Sequence, residues 1–126
     1  MGKSKKMIAF ELENEMSYYF GTEHYYENGL YRFKYTDGVK AFCEKAKAFW
    51  FLDVVNSLLF EKETRERMQG DFIFVKLIVK EDNTAVVRFK DREKVFYEQS
   101  IPFTDCPIGE WVFYYDSGVL MWNGEY

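Results

Sequence analysis

Disulfide scaffolding is the first architecture this sequence excludes, because it holds only two cysteines, Cys43 and Cys106. Two thiols are too few for a framework, and reduced cysteines in a cytoplasmic protein are the expectation. Histidine occurs once, at His24. Neither a Cys-x-x-Cys nor a His-x-x-x-His pair is present, so a zinc site lacks its ligands and no metal or cofactor is expected. Two prolines and eight glycines leave no room for a flexible linker or a low-complexity segment. No apolar run approaches the roughly eighteen residues of a membrane span. The basic start Met1-Gly2-Lys3-Ser4-Lys5-Lys6 is followed by Met7-Ile8-Ala9-Phe10 and then at once by Glu11, Glu13 and Glu15. That is not the apolar stretch of a signal peptide, and a cytoplasmic protein without membrane contact is expected.

Cations are also missing from one end. Beyond Lys94 there is no Lys or Arg, while Glu98, Asp105, Glu110, Asp116 and Glu125 follow. Residues 71–126 hold six basic and ten acidic side chains, whereas residues 1–70 balance at eleven of each. The expected negative potential there disfavours direct binding to a phosphate backbone and favours a basic protein surface as partner.

Aromatic residues are what the chain has in excess: 13 Phe, 10 Tyr and 3 Trp, or 21% of 126 residues. Some must be core, and so many tyrosines imply in addition a surface able to grip a partner. The densest apolar stretch is Phe49, Trp50, Phe51, Leu52, Val54, Val55, Leu58 and Leu59, interrupted by one carboxylate, Asp53. A helix this apolar must be wrapped by other elements and marks the centre of the fold.

Periodicity places the elements around it. Ile8, Leu12, Met16, Tyr19 and Phe20 fit one helix face, with Gly21 where a C-terminal glycine would sit. An Asn28-Gly29 turn and the alternation of Tyr31, Phe33 and Tyr35 predict a hairpin over about 24–35. Thr36 or Asp37 caps the next helix. Val39, Cys43, Ala46, Trp50 and Val54 then continue as one helix or as two joined near Ala46-Lys47-Ala48, and charged Glu61 to Arg67 runs outward to Gly70. Strands are predicted over Asp71 to Lys80, Thr84 to Lys90, Lys94 to Ile101, Glu110 to Asp116 and Val119 to Trp122, with a corner from Ile101 to Ile108 and a turn at Ser117-Gly118. The first of these is apolar on both faces and should be central. The fold class expected is α+β in one domain over 1–126: N-terminal helices, within about 8–68, packed on one face of a C-terminal antiparallel β-meander sheet spanning about 71–122.

Several segments taken together resemble one family. They are Phe20-Gly21-Thr22-Glu23-His24-Tyr25-Tyr26, Tyr35-Thr36-Asp37-Gly38-Val39, Ala48-Phe49-Trp50-Phe51-Leu52-Asp53-Val54-Val55, Ala85-Val86-Val87, Phe103-Thr104-Asp105 with Pro107, and Gly118-Val119-Leu120 with Glu125-Tyr126. This pattern, covering about 20–126, is similar to an uncharacterised bacterial domain of unknown function found in genomes, plasmids and phages. The resemblance carries no assigned activity. What it implies is a setting, small proteins on mobile elements, which encode many inhibitors of host defence including anti-CRISPR proteins.

Candidate chemistry is sparse. Asp53, between Leu52 and Val54, could act as an acid or base, yet a carboxylate so placed is more often paired to a Tyr, Trp or backbone N–H. His24 beside Glu23 could join it in a pocket, the basis of an alternative reading as a small enzyme or ligand-binding domain. Thr36-Asp37-Gly38 and Thr104-Asp105 read as capping and turn chemistry. The tyrosines with Arg32, Lys34 and Lys40 allow a further alternative, an RNA-binding module. The reading favoured by composition and resemblance is a non-enzymatic protein-binding inhibitor encoded by a phage or mobile element, blocking a host defence nuclease in the manner of an anti-CRISPR. Its expected anchors are Tyr25, Tyr26, Tyr31, Trp111, Tyr114 and Trp122, with Glu98, Glu110, Asp116 and Glu125 supplying charge. Exposed aromatics leave a homodimer open.

Overall fold

The computed structural model describes residues 3–59, 72–92 and 94–126. The expected charged stretch Glu61 to Gly70 lies outside the described residues. Helix α1 (Lys5–Met16) starts where the Ser4 side chain accepts a hydrogen bond from the Met7 N–H at 3.1 Å. It buries Leu12 and Met16 but leaves Ile8 exposed, and it stops at Met16 rather than at Phe20. Gly21 is therefore no helix cap. The chain leaves the helix at Ser17 because the Ser17 hydroxyl bonds back to the Asn14 carbonyl at 2.6 Å, offering a turn instead.

Strands β1 (Tyr25–Glu27) and β2 (Lys34–Thr36) form the expected hairpin. Thr36 then caps α2 (Asp37–Ala46). Lys47 adopts a left-handed conformation, φ 55°, and ends α2 through its N–H bond to the Cys43 carbonyl, so α3 (Trp50–Leu59) is a separate helix. The break lets each helix turn its own apolar stripe downward.

Five more strands follow: β3 (Ile73–Val79), β4 (Ala85–Lys90), β5 (Val95–Ile101), β6 (Gly109–Asp116) and β7 (Val119–Trp122), with a short 3₁₀ turn over Asn123–Glu125. All seven strands form one sheet in the order β1-β2-β7-β6-β3-β4-β5. It is α+β as expected, with two departures. The hairpin is not separate but extends the sheet, because β2 pairs in parallel with β7, Lys34 opposite Val119 and Tyr35 opposite Leu120. The sheet is thus mixed, not purely antiparallel. Nor is the C-terminal part a simple meander. The corner from 101 to 108 carries the chain from edge strand β5 back to β3, whose far side β6 then occupies. That puts β3 at the centre, as its two apolar faces require.

The described helices cover one face of the sheet. Phe42 of α2 stands over Trp111, Phe113 and Trp122 with ring centroids 5.4, 5.0 and 6.2 Å apart, and Phe51 of α3 meets Phe113 at 4.9 Å. Ile73, Val75, Leu77 and Val79 point into the same core. Full burial of a ring such as Phe42 is worth about 2–3 kcal/mol, which makes this contact a main anchor of α2. Phe72, Phe74, Tyr114 and Tyr126 pack edge-to-face or tilted on the other face, with centroids 4.8–5.6 Å apart in the pairs that touch.

Candidate functional site

Three segments remote in the chain, Thr22 to Tyr26, Thr36 to Gly38 and Trp122 to Glu125, meet at the N-terminus of α2. Glu125, delivered by the turn after β7, sends its carboxylate under the first turn of that helix. Oε2 accepts from the Thr22 hydroxyl at 2.6 Å and from the Gly38 N–H at 3.0 Å. Oε1 accepts from the Thr36 hydroxyl at 2.6 Å and from the Trp122 N–H at 2.9 Å. A carboxylate against the free N–H groups of a helix start also meets the positive end of its dipole. Gly38 is glycine for want of space: a Cβ there would lie 2.4 Å from Glu125 Oε1 and 2.8 Å from the Trp122 Cβ.

Asp37 does the same for the segment before β1. Its Oδ2 accepts from the backbone N–H groups of Glu23 and His24, both at 3.1 Å, and its Oδ1 accepts from the Tyr26 hydroxyl at 2.9 Å. Desolvation pushes the Asp37 carboxyl upward, but the Tyr26 hydroxyl, the two backbone donors and His24 outweigh it and hold the group below the usual carboxylate range. The same hydrogen bond raises the Tyr26 phenol. Thr22 to Tyr26 is therefore a fixed path, braced by two carboxylates from distant parts of the chain.

Asp53 and His24 stand with different partners. Asp53 is exposed on α3 and accepts from the Tyr31 hydroxyl at 2.5 Å, while His24 Nδ1 lies 3.7 Å from Asp37 Oδ1. Burial and the Asp53 carboxylate push the Tyr31 phenol up. Both cysteines are buried, and burial pushes the Cys106 thiol up to about 12, far from a reactive thiolate at neutral pH. Among the described residues no group of three His, Cys, Asp or Glu side chains is arranged to hold a metal ion.

The expected anchors separate into three sets. Trp111, 2% exposed, and Trp122, 9% exposed, lie in the core rather than on a surface. They alternate inward with Phe113 on β6 and Leu120 on β7, and the Trp111 indole donates to the Pro107 carbonyl at 2.9 Å. Glu125 likewise faces inward, so it offers no free charge. Tyr26 and Tyr31 are half-buried with their hydroxyls engaged. Glu98, Glu110, Tyr114 and Asp116 share the sheet face away from the helices. Two of those acids are neutralised by neighbours: Arg88 bonds Glu98 at 2.6 Å, and Lys76 bonds Glu110 at 2.8 Å, holding its carboxyl low. Part of the C-terminal acidity seen in the sequence, Glu98 and Glu110, is thus offset locally by cations from β3 and β4. The cations of the hairpin region are engaged too, Lys34 with Glu27 and Lys40 with Glu44, each at 3.8 Å.

Tyr25, 59% exposed, is joined on the surface by two residues not expected there, Tyr18 and Phe20, 78% and 79% exposed. Tyr18 lines one, and Phe20 both, of two open grooves that meet at Tyr19 and Phe20. One, of 580 Å³, runs along Glu23, Tyr26, Asp37, Lys40 and Glu44. The other, of 350 Å³, runs along Glu13, Trp111, Trp122 and Glu110. The signal that could have found them is Ser17, a helix-ending polar residue ahead of three aromatics. Among the described residues, no helix is long and apolar enough to cross a membrane.

A family model described as a family of unknown function, DUF6876, matches residues 10–126. The chain belongs to that family. No curated protein and no solved structure matches it.

Proposed function

We propose that this protein acts by binding another protein rather than by chemistry, as an inhibitor encoded by a phage or mobile element. A host defence nuclease of the CRISPR type is the target we put first, which would place its action in the host cytoplasm. The observation supporting a binding role is the trio Tyr18, Phe20 and Tyr25, large rings exposed on one segment that Asp37 fixes at the Glu23 and His24 backbone and Glu125 at the Thr22 hydroxyl. Exposed aromatics lose little entropy when they dock, and a preorganised loop loses less still, which is how hot spots are built.

The test is a phage challenge of a CRISPR-immune bacterial strain expressing the protein. Restored plaquing that is lost in a Tyr18→Ser/Phe20→Ser variant with an unchanged melting curve supports the reading. Immunity left intact by the wild-type protein against a panel of defence nucleases would remove the proposed target.

A further inference from the structure

We infer that the two grooves on either side of Phe20 form one trench for an extended, arginine-bearing segment of the partner protein, an inference that rests on the protein-binding reading above. The trench has an aromatic wall, with Tyr19 and Phe20 common to both halves, Tyr18 and Tyr26 in the larger half, and the nearly buried Trp111 and Trp122 forming the floor of the smaller half. Its charge is one-sided. Glu13, Glu23, Asp37, Glu44 and Glu110 line it against one cation, Lys40. Asp37 is saturated by its three donors, Glu44 is paired with Lys40 and Glu110 with Lys76. Among the described residues Glu13 and Glu23 carry no side-chain partner, and they fall one in each half.

A carboxylate beside an aromatic ring, repeated on both sides of a ridge, is the environment that suits a guanidinium. The planar cation stacks on the ring and offers a forked pair of N–H donors to the acid. An ammonium would satisfy the charge but forfeit the stacking and the fork. A phosphate backbone is repelled by the same lining. Arginine is therefore preferred over lysine, and both over nucleic acid.

Fluorescence anisotropy with the full chain tests this, using as probes a labelled nonapeptide of alternating Arg and Gly, its Lys counterpart and a single-stranded RNA of similar length. The expected order is Arg above Lys, with no RNA binding. Glu13→Gln/Glu23→Gln should weaken the Arg peptide roughly tenfold, while Glu98→Gln, remote on the sheet, leaves it unchanged. Equal loss from Glu98→Gln, equal affinity for Lys, tighter RNA binding, or no binding by the wild type would each overturn the trench. A host protein captured equally well by the wild type and by Glu13→Gln/Glu23→Gln would also overturn it and leave the protein-binding reading standing. Failure of the phage challenge with the peptide order intact would remove the defence nuclease as target and leave the trench standing.

Discussion

Two pairs of carboxylates in this protein behave differently, Asp37 with Glu125 and Glu13 with Glu23, and the contrast separates what ties the fold together from what lines its open grooves. Asp37 and Glu125 turn inward and gather seven hydrogen bonds between them, three on Asp37 and four on Glu125. Glu13 and Glu23 turn outward and, among the described residues, gather none on their side chains. Asp37 and Glu125 join the Thr-Glu-His-Tyr-Tyr and Thr-Asp-Gly segments, so that a helix N-terminus, a hairpin and a final turn are tied into one knot. The proposed binding residues Phe20, Glu23 and Tyr25 lie in or beside that knot.

The comparison breaks most sharply at Glu125. Glu125→Ala leaves two hydroxyls and two backbone N–H groups without an acceptor, the Thr36 hydroxyl among buried atoms, and should cost about 3 kcal/mol in urea unfolding. A loss below about 0.5 kcal/mol, the ordinary range of surface substitutions, would put Glu125 in the outward group. Gly38→Ala comes next, at about 1–3 kcal/mol, since its Cβ would strike that same carboxylate. In a double-mutant cycle the Gly38→Ala penalty should shrink once Glu125 is alanine, and strict additivity would mean the clash lies elsewhere.

Acid sharpens the comparison from the other inward carboxylate. The Asp37 group is held low in the folded state, so its stabilising contribution is present above the unfolded carboxylate range and is lost as pH falls through the folded value. Asp37→Asn should therefore flatten part of the acid limb of a stability-against-pH profile while changing little of its neutral limb's shape. An acid limb identical to wild type would show that the brace on Glu23 and His24 does not depend on charge. The smallest effect belongs to the outward pair: Glu13→Gln and Glu23→Gln should each shift stability by less than about 0.5 kcal/mol. A larger loss would mean these acids are structural, and their role in the trench would need to be separated from folding.

Much of the secondary structure was legible in the sequence because it follows from local rules. Thr36 caps α2, the strand limits from β3 to β7 fall within two residues of those expected, and β3 is central because both its faces are apolar. Where two local outcomes were nearly equal in energy, the sequence left them open, as at Lys47, or misled, as at Gly21. The site was less legible. Trp111 and Trp122 looked like anchors because aromatic residues suit interfaces as well as cores, and only strand register says which side of the sheet they face.

By itself the sequence determined an α+β fold with helices before strands, the N-terminal cap of α2 and the centrality of β3, since each depends on side chains a few positions apart. Only the tertiary structure decided that β2 joins β7 in parallel, that Glu125 closes the start of α2 from 87 residues away and that Arg88 and Lys76 pair with Glu98 and Glu110 of the acidic end. Those outcomes rest on contacts between residues remote in the chain. They are settled by which surfaces the shared core brings together, a quantity that no local pattern encodes.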